Sequence, residues 1–569
     1  MKKLIFILLI SSHLFAQSIE TLYNSILTLG NKSPEPSTSI MSVEDDYNKK
    51  CGFGIISQTK ARFNQFNTSQ QKVIAEILSR PVRQKSVVSS SGIFRIHYDT
   101  DGIHAPNYFS GSANNIQLSL DSLIIALDSS YNFEINILGY IPPPDDEGDG
   151  GDNLYDIYIS SLGSGFYGYT EYEKRTEDNR YKSYIVIDNK MNVPTPGING
   201  ARVTAAHEFH HAIQVGSYRP PLTGDVYYHE ITSTSMEEFV YDNINDYYNY
   251  LPIYFRNPER RFTYSNGNTG YDRVIWNIYL KEKFEKEGND PNKGLEIIKK
   301  SWEIMRNYNR TAIEAISLAL VENGLNMKSS YNDFGVWCYF TNYRAQNGKY
   351  FSEASEYEPL IKPIQNPIKY QPSKESYIMN IQPLANNYMI FDLSYSGIND
   401  TLISIVTNGD IESSHQDPFP SIQYTYSLMT NNEDGAIHIV NEYYSKIESN
   451  SNEYLVESDI FNDQVVKGAT ITKSNFVYPQ PYIYDKQYTV QSSLSIPVKN
   501  SLIPRANLYI YSISMDLVFS ERLAIESNER VVKWNGLDKY GNKLSSGIYI
   551  YVTETDGQIL KGKLAIINE

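Results

Sequence analysis

The sequence predicts a multidomain chain in which an α+β unit, β-rich in its first half and helical in its second, is followed by β-sandwich domains. Three observations carry that prediction. The chain has 569 residues, well beyond the roughly 100–200 that one domain ordinarily uses. Hydrophobic residues make up 41% and aromatics 13%, enough to fill real cores despite a mean hydropathy of -0.42. The apolar pattern also changes period along the chain, from alternation to helical spacing and back. With 50 Lys and Arg against 66 Asp and Glu, the net charge of -16 has the wrong sign for a polyanionic partner, which excludes nucleic acid as a ligand class.

The first element is a signal peptide over 1–16. Lys2 and Lys3 precede an apolar run from Leu4 to Ile10, followed by small and polar residues as far as Ala16. No later run approaches the roughly 20 apolar residues of a spanning helix. The mature chain is therefore expected without a transmembrane segment, secreted or at the outer cell surface. Residues 17–90 read as a prosegment or an N-terminal extension. An amphipathic patch, Gln71 to Leu78, leads into Arg80-Pro81-Val82-Arg83-Gln84-Lys85, a basic linker of the kind processed in secreted zymogens. An exposed connector after an N-terminal lobe fits equally well. The two cysteines, Cys51 and Cys338, could pair, but nothing local brings them together, so two thiols are the expectation. Cys51 could also cap a metal from within a prosegment.

The α+β unit is expected over 91–370. Ile93 to Tyr98, Leu154 to Ile159 and Tyr184 to Ile187 alternate as strands, and Leu118 to Leu127 has helical spacing. Helical spacing then dominates, in Val274 to Phe284, Leu295 to Met305 and Ala312 to Leu320. Within this unit the acidic run Asp145 to Asp152 could hold Ca2+ through hard oxygen ligands, or be a solvated turn. It is not an EF-hand loop, because no glutamate occupies the twelfth position. Short strands such as Tyr377 to Ile381 and Tyr388 to Leu393 predict a β-sandwich over 371–500, and a smaller one follows over 501–569.

The residues that carry chemistry lie in Ala205-Ala206-His207-Glu208-Phe209-His210-His211, which contains HExxH. Residues four apart share a helix face, so His207 and His211 can offer two imidazole nitrogens to one Zn2+. Glu208, one step round, falls beside a water that such an ion would acidify, in the place of a general base. A third ligand is needed. Gln214 and Ser217 stand where the metzincin pattern requires Gly and His. Eighteen residues separate His211 from Glu230, which falls on a second helix, from about Tyr227 to Tyr241, giving HExxH-x18-E. Glu237, seven positions further on the same face, is the rival ligand or an acceptor for a histidine N–H. Thr232, Ser233, Thr234 and Ser235 are small enough to let the two helices approach. Tyr271 or Tyr264 could place a phenol against a developing oxyanion. His210 and His229 are expected to be structural neighbours or substrate contacts.

Residues 92 to about 345 resemble a group of secreted bacterial metallopeptidases related to the gluzincins. The resemblance rests on Phe94 to Tyr98, Ile141 to Asp145, Tyr155 to Tyr158, Ala206 to Gln214 and Glu230 to Tyr241. Glu230 and Glu237 keep the register of that group's second helix, while Ile231, Ser233 and Ser235 stand where it carries Gly, Ala and Trp. Thr234 occupies the position of an Asp found in thermolysin-like gluzincins, so support for His207 must come from elsewhere. The resemblance implies a zincin-like fold with an edge strand, expected at Tyr184 to Ile187, that pairs with a peptide or protein substrate. It further implies a zinc metallopeptidase with Glu208 catalytic and His207, His211 and Glu230 as ligands. The tail, with Trp534-Asn535-Gly536, Asp538 to Asn542, Ser545 to Tyr551 and Gly562 to Ile566, resembles FlgD-like immunoglobulin-type domains that act as type IX secretion sorting signals. That resemblance implies secretion machinery as a partner. A competing expectation is a surface adhesin or binding protein whose metallopeptidase-like domain is catalytically silent.

Overall fold

The computed structural model describes residues 18–33 and 50–360, apart from 177–179, 222–223, 265–269, 289 and 347. Beyond 360 it describes chiefly the strands named below and their immediate surroundings. The signal peptide expected over 1–16 lies outside the described residues. Among those described, no helix is long and apolar enough to cross a membrane.

Three helices open the described chain: α1 (Ile19–Leu29), α2 (Phe53–Ala61) and α3 (Thr68–Ile77). Ser18 caps α1 by accepting from the Thr21 N–H at 3.0 Å. Asn67 and Gln70 close a reciprocal capping box on α3. Their apolar side chains, among them Leu22, Ile26, Phe53, Ile56 and Ile74, form one core with Tyr169, Tyr184 and Val186 of the adjoining sheet.

That sheet has five strands: β1 (Lys85–Val88), β2 (Phe94–Tyr98), β3 (Tyr155–Ser160), β4 (Gly168–Arg175) and β5 (Tyr181–Asp188), in the order β1-β2-β3-β5-β4. β2, β3 and β5 run parallel, with β1 and β4 antiparallel at the two edges. Helix α4 (Asn115–Tyr131) lies in the connection from β2 to β3. Two sequence expectations change here. Tyr184 to Ile187 belongs to β5, which pairs on both sides and is buried on both faces, so its unbroken apolar run marks an interior strand. The edge beside it is β4. The sheet also begins at Lys85, ahead of the boundary expected at 91.

The helical half follows: α5 (Gly197–Ile213), α6 (Val226–Val240), α7 (Leu251–Arg256), α8 (Val274–Glu287), α9 (Lys293–Tyr308), α10 (Ala312–Glu322) and α11 (Met327–Tyr339). Phe209, Tyr228, Trp276, Trp302 and Tyr331 are fully buried in its core. The helical path of α5 does not stop at Ile213. The chain continues through a π-helical turn, Gln214–Tyr218, and a side chain at Gly216 would meet Pro144 at 2.8 Å. Gly216 is there for close approach to the Pro143-Pro144 segment.

Beyond it, β6 (Ile368–Lys369), β7 (Ser376–Met379), β8 (Asn386–Asp392), β9 (Thr401–Asn408), β10 (Ser421–Thr430), β11 (Ile439–Lys446) and β12 (Tyr454–Glu457) form a five-stranded sheet, β11-β10-β9-β8-β6, and a pair, β12-β7. Ile403 and Ile405 of β9 join the helical core, and the Asn332 side chain of α11 donates to the Ile405 carbonyl at 3.1 Å. The last sheet contains β13 (Tyr482–Ile483), β14 (Leu494–Pro497), β15 (Arg505–Tyr511), β16 (Leu517–Glu526), β17 (Val531–Trp534), β18 (Gly547–Thr555) and β19 (Gln558–Ile567), in the order β13-β19-β18-β15-β16-β17-β14. It has its own core around Leu508, Ile510, Trp534 and Leu564. Because β13 and β14 belong to it, this unit starts well before 501. Asp538 holds its turn by accepting from the N–H groups of Tyr540 and Asn542, each at 2.8 Å.

The acidic run is answered by the chain's own cations. Arg80 reaches Asp146 at 2.7 Å and Glu173 at 2.8 Å and also pairs with Asp156, Arg95 pairs with Asp152, and Lys182 reaches Asp149 at 2.8 Å and Glu147 at 3.1 Å. Asp145, Glu147 and Asp149 stay exposed, as the solvated-turn reading had it, while these pairings engage the run's carboxylates and hold the first arginine of the linker. Cys51 and Cys338 are both buried and form no disulfide.

Candidate metal centre

Helix α5 is buried from Val203 to Ile213, which a chain can sustain only if its polar side chains find partners inside. Ala205 and Ala206 on α5 and Thr232 to Ser235 on α6 keep the helix surfaces low, and α6 delivers Glu230 opposite the HExxH face. His207 Nε2 and His211 Nε2 are 3.1 Å apart. Glu230 Oε2 lies 3.3 Å from the first and 3.5 Å from the second. Ligands bound tetrahedrally at about 2.0–2.1 Å stand roughly 3.3–3.4 Å from one another. The triangle therefore has the dimensions of three corners of a zinc tetrahedron.

The hydrogen bonds behind the rings assign their tautomers. His207 Nδ1 lies 2.7 Å from Glu237 Oε1, and His211 Nδ1 lies 2.8 Å from Gln214 Oε1. Gln214 spends its amide donors on the His229 carbonyl at 3.1 Å and Thr232 Oγ1 at 2.8 Å, so the oxygen facing His211 is an acceptor. Both Nδ1 atoms must then donate, and both Nε2 atoms carry lone pairs aimed at the Glu230 carboxyl. Two imidazole lone pairs and a carboxyl group converge there, an arrangement that a cation satisfies. Burial pushes both imidazoles down to about 3, which keeps them in the neutral, ligating form.

Glu208 stands beside this triangle. Thr170 of β4 donates its hydroxyl to Glu208 Oε2 at 2.8 Å, and burial lifts the carboxyl to about 8. The Tyr271 phenol is also at the centre. It accepts the Cys51 N–H at 3.3 Å, is in contact with Glu230, and is raised by burial. Tyr264, the alternative, lies against the Arg260 guanidinium at 5.0 Å. His210 points away, to Glu134 at 2.7 Å, and His229 sits between the Asp225 and Arg219 carbonyls, each at 3.1 Å. Glu237 accepts the His207 N–H, as one of its two expected roles had it.

A fourth atom completes the group. Cys51 Sγ, His207, His211 and Glu230 offer ligand atoms that all lie within 4.8 Å of one another, and all four residues are buried. Lys50, next to it, reaches Glu237 at 2.6 Å and also pairs with Asp246. Phe53 stacks on His211 with centroids 4.0 Å apart. Lys50, Phe53, Thr170 and Gln214 carried no sequence expectation as parts of the site. Gln214 was the one within reach, since it lies three residues after His211 and so on its helix face. An open surface pocket of about 520 Å³, lined by Thr100, Asp101, Asn107, Asn114 and Lys190 among others, includes none of these residues.

No protein-family model matches the chain, and no curated protein does. Among solved structures, the chain is similar to PorZ, described as an essential bacterial surface component of the type-IX secretion system of Porphyromonas gingivalis. The likeness has 12% identity, covers 32% of this chain and 38% of that one, and reaches a TM-score of 0.13. A likeness at that level carries no argument about fold or function.

Proposed function

We propose that this chain is a zinc-dependent metallopeptidase of zincin-like fold, related to the gluzincins. The observation that carries the reading is the convergence of His207 Nε2, His211 Nε2 and Glu230 Oε2 within 3.1–3.5 Å, with Glu208 beside them. When bound there, Zn2+ supplies a Lewis acid for a carbonyl and a more acidic water. The chain's residues do the rest. Glu237 and Gln214 hold the two imidazoles in the tautomer that ligates. Glu208, one step round the helix from His207, is suited by position to take a proton from the attacking water and return it to the leaving amine. Thr170 fixes that carboxyl, and Tyr271 is placed to donate its phenolic proton to a developing oxyanion. The edge of β4 is where an extended substrate backbone would add as a strand.

Zinc content and casein hydrolysis test this, on the full chain and on the chain cut in its 80–85 linker, with Glu208→Gln in parallel. Zinc at one per chain and hydrolysis that vanishes in the variant support the reading. Hydrolysis unchanged in the variant, or none from either form, overturns it. A closed structural zinc centre is a second reading, favoured by Cys51, because four protein ligands leave no open position.

A further inference from the structure

Lys50, Cys51, Gly52 and Phe53 deliver one segment into the centre. The Lys50 carbonyl accepts the Tyr167 N–H at 2.8 Å and the Gly52 N–H donates to the Gly168 carbonyl at 3.0 Å, with Cys51 bridged in parallel to Gly168. The segment thus pairs with the start of β4, at the edge where a substrate would add. A side chain at Gly52 would meet Leu29 and Tyr169 at 2.8–2.9 Å, so only glycine lets the backbone come this close. Phe53 covers His211, the Lys50 ammonium sits between Glu237 and Asp246, and Cys51 Sγ is the fourth member of the ligand group. Under this cover His207 is 1% exposed, and Glu208, His211 and Glu230 are 0% exposed. A catalytic metal needs one open position and a path for substrate, and in this form of the chain both are taken.

We infer that the N-terminal segment is an internal inhibitor: the Cys51 sulfur fills the fourth position of the metal centre while residues 50–53 occupy the β4 edge, so the uncut chain is latent. The inference rests on the metallopeptidase reading. Activation is the hydrolysis of one peptide bond between α3 and β1, with water as the only co-reactant and no redox change. Val82, 91% exposed between two held arginines, is the accessible point. After the cut the segment would depart with Cys51 as the free thiol, its proton drawn from solvent, and would leave the fourth position open to water.

The test inserts a sequence-specific protease site at Val82 of the full chain, loads it with zinc, and compares uncut and cut protein. X-ray absorption is expected to find one sulfur at about 2.3 Å from zinc before the cut. After the cut, and in uncut Cys51→Ser, it is expected to find only nitrogen and oxygen, with zinc still at one per chain. Casein hydrolysis is expected to rise at least tenfold on cutting. Absence of sulfur before the cut overturns the role of Cys51 and leaves the peptidase reading standing, as does an uncut chain that hydrolyses as fast as the cut one. Sulfur that persists after the cut, with hydrolysis in neither form, identifies a closed structural centre and overturns both readings. If Cys51→Ser fails to fold, the cut and uncut wild-type spectra still separate these outcomes.

Discussion

The Phe53 ring lies flat on the His211 imidazole, with centroids 4.0 Å apart and planes 14° from parallel. This ring holds one face of the His211 imidazole, while Gln214 and Ser233 hold its Nδ1 edge. Phe53→Leu keeps apolar bulk but loses the stacked contact. It should lower unfolding free energy by about 1–2 kcal/mol, measured as a shifted denaturant midpoint at unchanged slope. An unmoved midpoint would mean the stacking contributes nothing.

Glu237 accepts the His207 N–H at 2.7 Å and turns its other oxygen to Lys50. Partners behind a ligating histidine typically contribute about 10–100-fold to metal affinity. Glu237→Ala should weaken zinc binding by that order, read by competition with a chromogenic chelator, with the far-ultraviolet spectrum retained. Wild-type affinity in a folded variant would reassign Glu237 to packing alone.

Glu238, its neighbour on α6, is raised from 4.5 to about 9, first by burial and then by Glu353 and Asp242, with Lys281 opposing. Between those values the unfolded chain has released this proton and the folded chain keeps it, so the group's contribution falls as pH rises through the window. Glu238→Gln should gain about 1–3 kcal/mol on wild type between pH 5 and pH 8. Parallel stability profiles for the two proteins would contradict this.

Arg80 is 15% exposed and bridges Asp146, Asp156 and Glu173, with Asp146 itself lifted to about 6 by burial. Arg80→Ala leaves those carboxyls facing one another and should cost about 1–3 kcal/mol. Because the loop's carboxylates meet Arg80, Arg95 and Lys182, a calcium chelator should leave the wild-type melting temperature where it was. A large drop on chelation would restore the cation site expected from the sequence.

The terminal sheet includes β13 and β14, so truncation after 502 would strand two of its members. Removing 481–569 as a whole tests the sorting role proposed for this unit through its resemblance. The truncated protein should accumulate in the cells rather than in the medium, and unchanged export would contradict that role.

The legible parts of the sequence were those set by local periodicity. Helix α6 was expected at about Tyr227 to Tyr241 and occupies Val226–Val240, and α8 starts at Val274 as expected. The spacing of His207, His211 and Glu230 likewise foreshadowed three atoms that meet, because one helix face and one adjacent helix suffice to bring them together. What the sequence left open was non-local. Capping of a metal by Cys51 was one of the readings open for that residue, but Cys51 lies more than 150 residues from His207 in the chain and reaches it only because the segment adds to β4, so nothing local could select that reading. The edge strand was misassigned because β4, with Glu171, Glu173 and Lys174, reads as polar, whereas Tyr184 to Ile187 is apolar from burial on both faces. The acidic loop invited a cation, but which cation depended on Arg80, Arg95 and Lys182, set by tertiary structure alone.

The most direct test is an anomalous difference map from zinc-loaded crystals of the full chain, collected either side of the zinc edge. The account predicts a single strong peak about 2.0–2.1 Å from His207 Nε2, His211 Nε2 and Glu230 Oε2. A map with no peak among these three atoms, or with Glu230 turned out of the group, would contradict it.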